Sequence, residues 1–209
     1  MAEFRLHEFP ESGGCFKVAL MLALCGAQWE GIPVDYFAGQ TRSPEWRAAV
    51  SVMGEVPVLE HLGRKRTQSG AILTYLSQHL GRFAAEDREE ELRWLLFDNH
   101  KFTSYLATWR WLVSFTAAPD PAVVAAFDAR RAAAFRVVEA QLEYRKFLLG
   151  DAPCIADISM QGYLHFPQEE WPMDMSAYPN VSRWSQSFRA MPGFKAPYDL
   201  LPGKRFPRP

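Results

Sequence analysis

The 209-residue sequence has only three cysteines, Cys15, Cys25 and Cys154. An odd number cannot form a complete disulfide framework, so the thiols fit a reducing compartment. Long apolar runs are missing too. The longest, Val18 to Cys25, has eight residues, far short of the ~20 that span a bilayer. Glu3, Glu8 and Glu11 precede it, which argues against a signal peptide, and a cytoplasmic location without a membrane partner is expected. Neither sign of charge dominates: 23 Lys+Arg against 24 Asp+Glu give a net charge of −1. That balance offers no electrostatic footing for nucleic acid. His7, His61, His79, His100 and His165 show no metal-ligand spacing. With no phosphate loop and no dinucleotide glycine pattern either, neither a metal nor a nucleotide is expected. Internal repeats and low-complexity tracts are absent as well.

What is present is a core-forming composition, 48% hydrophobic, with 15 Phe, 7 Trp and 7 Tyr. That many aromatics suggests an apolar pocket as well as a core. Phe4 to Phe9 reads as a strand stopped by Pro10, and Glu11-Ser12-Gly13-Gly14 forms a turn before a helix in which only Lys17 is polar. A helix with no polar face is covered on two sides. Trp29 to Phe37 reads as a second, parallel strand and Gly54 to Glu60 as a third, interrupted by proline, with Pro57 confined to a strand start, an edge or a bulge. Gly63-Arg64-Lys65-Arg66 is a polar turn or edge strand. A helix then runs from Ser69 as N-cap to Gly81.

From Glu86 onward the pattern is helical: 86–115, 121–149, 155–166 and 181–190, with Pro202 to Pro209 as an extended strap. The expected architecture is an α+β domain over residues 1–81 followed by an all-helical domain over 86–209.

The β-α-β, β-β-α order with a proline-broken third strand resembles the thioredoxin fold. Redox members carry Cys-x-x-Cys after the first strand, whereas this chain has Ser12-Gly13-Gly14-Cys15, which excludes dithiol exchange by that motif. Four pieces in register resemble a cytosolic glutathione transferase of the bacterial, serine type. They are Pro10-x-Ser12 before an apolar helix, Gly54-x-Val56-Pro57-Val58-Leu59, Gln68-Ser69-x-Ala71-Ile72-x-x-Tyr75-Leu76, and Leu149-Gly150 followed by Ile155-Ala156-Asp157. The resemblance implies a thioredoxin-like glutathione-binding domain, a helical domain bearing the pocket for a small apolar electrophile, and a homodimer. Glutathione is then the sole co-substrate expected at the first domain.

Under that resemblance Ser12 is the catalytic hydroxyl, although a serine here also reads as a simple helix cap. A thiol of pKa ~8.5 brought down by ~2 units needs ~2.7 kcal/mol of differential stabilisation, within reach of one charge-assisted hydrogen bond and a helix N-terminus. Val56 and Pro57 would offer backbone groups to the cysteinyl residue of glutathione, Gln68 and Ser69 would hold its γ-glutamyl end, and Arg42 its glycyl carboxylate. Glu55 stands where relatives often carry Lys or Gln, so the usual cationic contact is lost there. His100, Lys101, Tyr105 and Trp109 share one helical face and are candidates for the second-substrate pocket; core packing accounts for the aromatics equally well. Cys15, one turn into the helix, is the redox alternative, a thiol reductase or peroxidase. A third reading is a glutathione- or ligand-binding protein without turnover. Asp157 is expected to hold half of a capping box, since Cys154 replaces the usual hydroxyl residue, and its loss to cost ~1–2 kcal/mol.

Overall fold

The structure, a computed structural model, describes residues 2–201 and 203–207. They divide into two units: the chain up to Arg82 together with Pro192–Phe206, and Phe83–Met191.

The first unit contains β1 (Phe4–Glu8), α1 (Gly13–Leu24), β2 (Trp29–Pro33), α2 (Pro44–Ala49), β3 (Val58–His61), β4 (Arg64–Thr67) and α3 (Ser69–Leu80). The sheet order is β2-β1-β3-β4, with β1 parallel to β2 and antiparallel to β3, and β3 antiparallel to β4. Leu6 lies between Gly31 and Leu59 in that register. Phe4 and Leu6 are fully buried, as are Phe16, Val18, Leu20 and Leu22 of α1. Each such side chain contributes ~1.5–3 kcal/mol over its exposed state. Lys17 is buried with them, as a helix without a polar face requires.

Several boundaries differ from the sequence reading. The second strand stops at Pro33 rather than Phe37, because proline donates nothing to a ladder and Tyr36 N–H turns back to Val34 O at 2.9 Å. Within the polar segment 39–47 the chain forms α2, capped by Ser43 Oγ, which accepts from Trp46 N–H at 3.1 Å. Trp46 is buried edge-on against His7. Ser69 is the first residue of α3, and the cap position belongs to Gln68.

The second unit holds α4 (Arg88–Phe97), α5 (Thr103–Phe115), α6 (Pro121–Gln141), α7 (Ile155–Met160) and α8 (Pro179–Arg189). The expected helix 86–115 is interrupted by a π turn, Asp98–Phe102, a wide turn of the kind that recurs at functional sites. Its cause is visible. Asp98 is fully buried and accepts from Thr103 N–H, Thr103 Oγ1 and Ser159 Oγ, so its side chain is pulled into the unit. The expected helix 121–149 ends at Gln141, whose Nε2 donates to Leu148 O at 2.6 Å. The expected helix 155–166 stops at Met160 and tightens into a 3₁₀ turn, Gln161–Tyr163.

A boundary of 86–209 for the second domain is corrected by the last segment. Pro192–Phe206, including α9 (Pro197–Leu200), belongs to the first unit. Gly193 has φ +88°, and a Cβ there would sit 2.5 Å from Ala23 O at the end of α1. The Phe206 ring packs on Phe37 at 4.1 Å between centroids, and its N–H donates to Glu11 Oε1 at 2.7 Å. Of the expected strap, Pro202, Arg208 and Pro209 lie outside the described residues.

Candidate functional site

The loop after β1 delivers Ser12 to the N-terminus of α1. Ser12 has extended backbone (φ −80°, ψ 109°), and its Oγ accepts from Cys15 N–H at 3.1 Å. A hydroxyl oxygen that accepts at the cap keeps its own proton to donate elsewhere. Ser12 is nearly buried, with 7% of its surface exposed.

The Val56–Pro57 peptide is cis. Gly14 joins this feature to Ser12: a Cβ at Gly14 would lie 3.3 Å from Pro57 Cδ and 3.6 Å from Ser12 Oγ. The sequence shows Gly14 only as turn chemistry; its contact with Pro57 depends on the sheet. Among the described residues the N–H and C=O of Val56 make no backbone hydrogen bond, and the residue is partly exposed. One residue of an extended peptide would find both groups available.

Gln68 has φ +64° and ψ 111°, backbone that costs on the order of 1–3 kcal/mol for a non-glycine residue and concentrates at functional sites. Its Nε2 donates to Glu55 Oε2 at 3.0 Å and lies 3.3 Å from the Met53 sulfur. Glu55, by sequence the residue that removes a cationic contact, is thus the partner that orients Gln68. No side chain caps α3, so the N–H groups of its first turn, with the Ser69 hydroxyl beside them, remain available to an anion. Arg42 ends an exposed 3₁₀ turn, Gln40–Arg42, with its guanidinium folded over Gly39. Ser12 and Pro57 are therefore brought together, as are Gln68 and Glu55, while Arg42 stands on a separate turn.

Cys15 is fully buried, with Sγ 3.9 Å from His7 O, and burial pushes its thiol up to about 12. An enclosed thiol that keeps its proton at neutral pH is a poor nucleophile, which weighs against the redox reading. Cys25 and Cys154 are also free thiols pushed up by burial.

Glu8 is the other strongly perturbed group of this unit. It ends β1, is 1% exposed, lies against Gly31, and its Oε2 has no hydrogen-bond partner among the described residues. Burial first, and then the Glu11 carboxylate, raise its pKa from 4.5 to about 7. The folded state therefore holds a proton that the unfolded chain releases. Stability attached to that proton is complete below about 4.5 and is lost as the pH rises through about 7. Glu8 also lines an open groove with Ala23, Gly31 and Gly193, and with that solvent access discounted Glu8→Gln is expected to raise unfolding free energy at pH ~8.5 by about 2 kcal/mol and to leave it unchanged at pH ~4. Urea unfolding at the two pH values measures this, and equal effects at both would refute it.

In the second unit His100 is exposed and Lys101 half-buried, with Nζ 5.9 Å from the centre of the Tyr105 ring. Tyr105 meets Phe127 of α6 edge to face at 6.4 Å. Trp109 is 6% exposed and its ring is covered by the Arg131 guanidinium at 4.6 Å. Its ring is thus turned from α5 onto Arg131 of α6, with little surface left for a pocket. No helix among the described residues is long and apolar enough to cross a membrane.

Comparison with known proteins agrees with this arrangement. Residues 2–78 match the family model for the glutathione S-transferase N-terminal domain, and residues 94–192 that for its C-terminal domain. A glutathione S-transferase-like protein of Fusarium sp is 30% identical over 200 residues, covering 88% of each chain. Glutathione S-transferase 3 of Zea mays is 27% identical over 97% of this chain and 96% of its own. The crystal structure of a possible glutathione S-transferase from Rhodopseudomonas palustris superposes with a TM-score of 0.81 at 30% identity, covering 94% of this chain and 98% of that one. With a thioredoxin-like first unit, a helical second unit and both family domains in order, the chain belongs to the glutathione S-transferase family.

Proposed function

We propose that this protein is a serine-type glutathione transferase that conjugates glutathione to a small apolar electrophile. The observation that carries the reading is Ser12: its oxygen accepts from Cys15 N–H, which leaves its proton for donation, and the partly exposed Val56 immediately precedes the proline that lies against Gly14. In this reading the cysteinyl residue of glutathione pairs with the Val56 backbone as one added strand residue. Its γ-glutamyl carboxylate takes the uncapped N-terminus of α3 and Ser69. The Glu55 carboxylate beside Gln68 supplies the negative charge that a glutamine lacks for the ammonium. Arg42 takes the glycyl carboxylate.

The Ser12 hydroxyl donates to the sulfur and favours the thiolate, whose proton passes to water. Sulfur then attacks the electrophilic carbon, forming the C–S bond as the leaving group departs with its electron pair. The apolar substrate falls to the helical unit, where His100, Lys101 and Tyr105 retain accessible surface. The family relationship supports a homodimer.

Conjugation of chlorodinitrobenzene tests this. Ser12→Ala is expected to lower kcat/KM at neutral pH about 100-fold, with the rising, acid-side limb of its pH profile shifted up by about 2 units. Ser12→Thr, which keeps both cap and donor, is expected to retain most activity, and Cys15→Ala nearly all of it. Full activity in Ser12→Ala refutes the role of the hydroxyl. Retention on a glutathione column with no turnover by wild type points to the binding-only protein.

A further inference from the structure

Sequence spacing gives no sign of a metal site, yet the sheet brings three ligand-type side chains of the first unit together. Glu3 stands just before β1, its N–H fixed to Gln28 O at 3.0 Å. His61 is the last residue of β3, and His79 lies in the last turn of α3. Their ligand atoms all lie within 4.8 Å of one another, the one such group of three among the described residues. We propose that Glu3, His61 and His79 form a binding site for a divalent metal ion of the zinc class.

The distances fit a shared metal ion as well as the hydrogen-bonded ion pairs that Glu3 makes with the two histidines. Glu3 Oε1 is 3.4 Å from His61 Nε2 and 3.3 Å from His79 Nε2. Charge-assisted N–H···O bonds close to ~2.7–2.9 Å. Two ligands each ~2.0–2.1 Å from a tetrahedral zinc ion stand about 3.3 Å apart. One carboxylate oxygen thus sits at a tetrahedral edge from two imidazole nitrogens.

The surroundings prepare the ligands. The Nδ1 of His61 is 2.6 Å from the Tyr75 hydroxyl, which fixes the ring and leaves Nε2 toward Glu3, as outer-shell partners do for metal-bound histidines. Phe4 stacks on His61 at 4.3 Å and Tyr75 on His79 at 5.7 Å between centroids, holding both rings. Two imidazoles and one carboxylate suit zinc and its transition-metal neighbours and leave a fourth position to water, while magnesium and calcium require more oxygen ligands.

The test uses the full chain without a polyhistidine tag, freed of metal by chelation, and titrated with Zn²⁺ by calorimetry. One Zn²⁺ per chain is expected, with a rise in Tm that Mg²⁺ does not reproduce. Glu3→Gln and His79→Ala, both at exposed positions, are each expected to weaken Zn²⁺ by about tenfold or more. Cys25→Ser, which removes the half-exposed thiol, is expected to bind as wild type does. The proposal is overturned if wild type takes up no stoichiometric Zn²⁺, if Glu3→Gln/His79→Ala binds it undiminished, or if binding is lost in Cys25→Ser.

Discussion

Asp157→Ala is expected to destabilise the helical unit by about 4 kcal/mol, well above the 1–2 kcal/mol of a lost helix cap. Asp157 is fully buried. Its Oδ1 accepts from Leu148 N–H and Trp184 Nε1–H, each at 2.9 Å, and its Oδ2 accepts from Cys154 N–H at 2.9 Å and faces Cys154 Sγ at 3.3 Å. Alanine leaves three N–H donors without an acceptor in a region closed to water, at about 1–3 kcal/mol for each that fails to find a new one. The capping box is more complete than the sequence suggests, because the Cys154 sulfur faces the Asp157 N–H in place of a hydroxyl. Asp157→Asn should fall between, since its oxygen replaces Oδ1 while its NH₂ confronts Cys154 N–H. Urea unfolding with an unchanged m-value reads the loss; a cost below about 1 kcal/mol would sink the account. Activity per folded molecule should stay constant, as none of these groups is among those proposed to hold glutathione or the second substrate.

Glu170→Ala is the second large effect, expected at about 3–5 kcal/mol. Arg110 of α5 and Glu170 are paired with 3% and 6% of their surfaces exposed. The guanidinium lies 4.1 Å over Phe166, and Ser114 Oγ donates to Glu170 O at 2.7 Å. Removing the carboxylate takes the acidic counter-ion from a buried cation that Arg110 cannot discard by deprotonation. Arg110→Met/Glu170→Leu should recover most of the loss, because a well-packed apolar pair of similar volume is often neutral relative to a buried ion pair. The double-mutant cycle separates the two contributions. Additive costs of the single changes would show that the pair is not coupled.

These two sites mark where local sequence stops being enough. Ser12 before an apolar helix and Val56-Pro57 before a strand are visible because turn chemistry and proline act within a few residues. So are β1, α1 and the succession of a mixed half and a helical half. Asp157 shows its nearest partner, Cys154, but Trp184 and Leu148 reach it only through the packing of α7 and α8. Lys101, Tyr105 and Trp109 share helical spacing, yet spacing alone does not say that the face meets α6 and that Arg131 covers Trp109. In the sequence Asp98-Asn99-His100-Lys101 is an unbroken run of four polar residues. Burial of Asp98 divides it, opening a π turn that no periodicity in the sequence announces. Glu55 reads as a missing cation until Gln68 is placed 3.0 Å from it.

The return of Pro192–Phe206 to the first unit bears on how the chain is made. Gly193 closes against Ala23 and Phe206 against Phe37, contacts between residues separated by most of the sequence. Domains generally fold in order as they leave the ribosome. Here the unit that begins first is sealed last. While the helical half is being synthesised, the nascent first unit lacks the Gly193 turn against the end of α1 and the Phe206 ring against Phe37, whose ring also meets Phe9 and Tyr36.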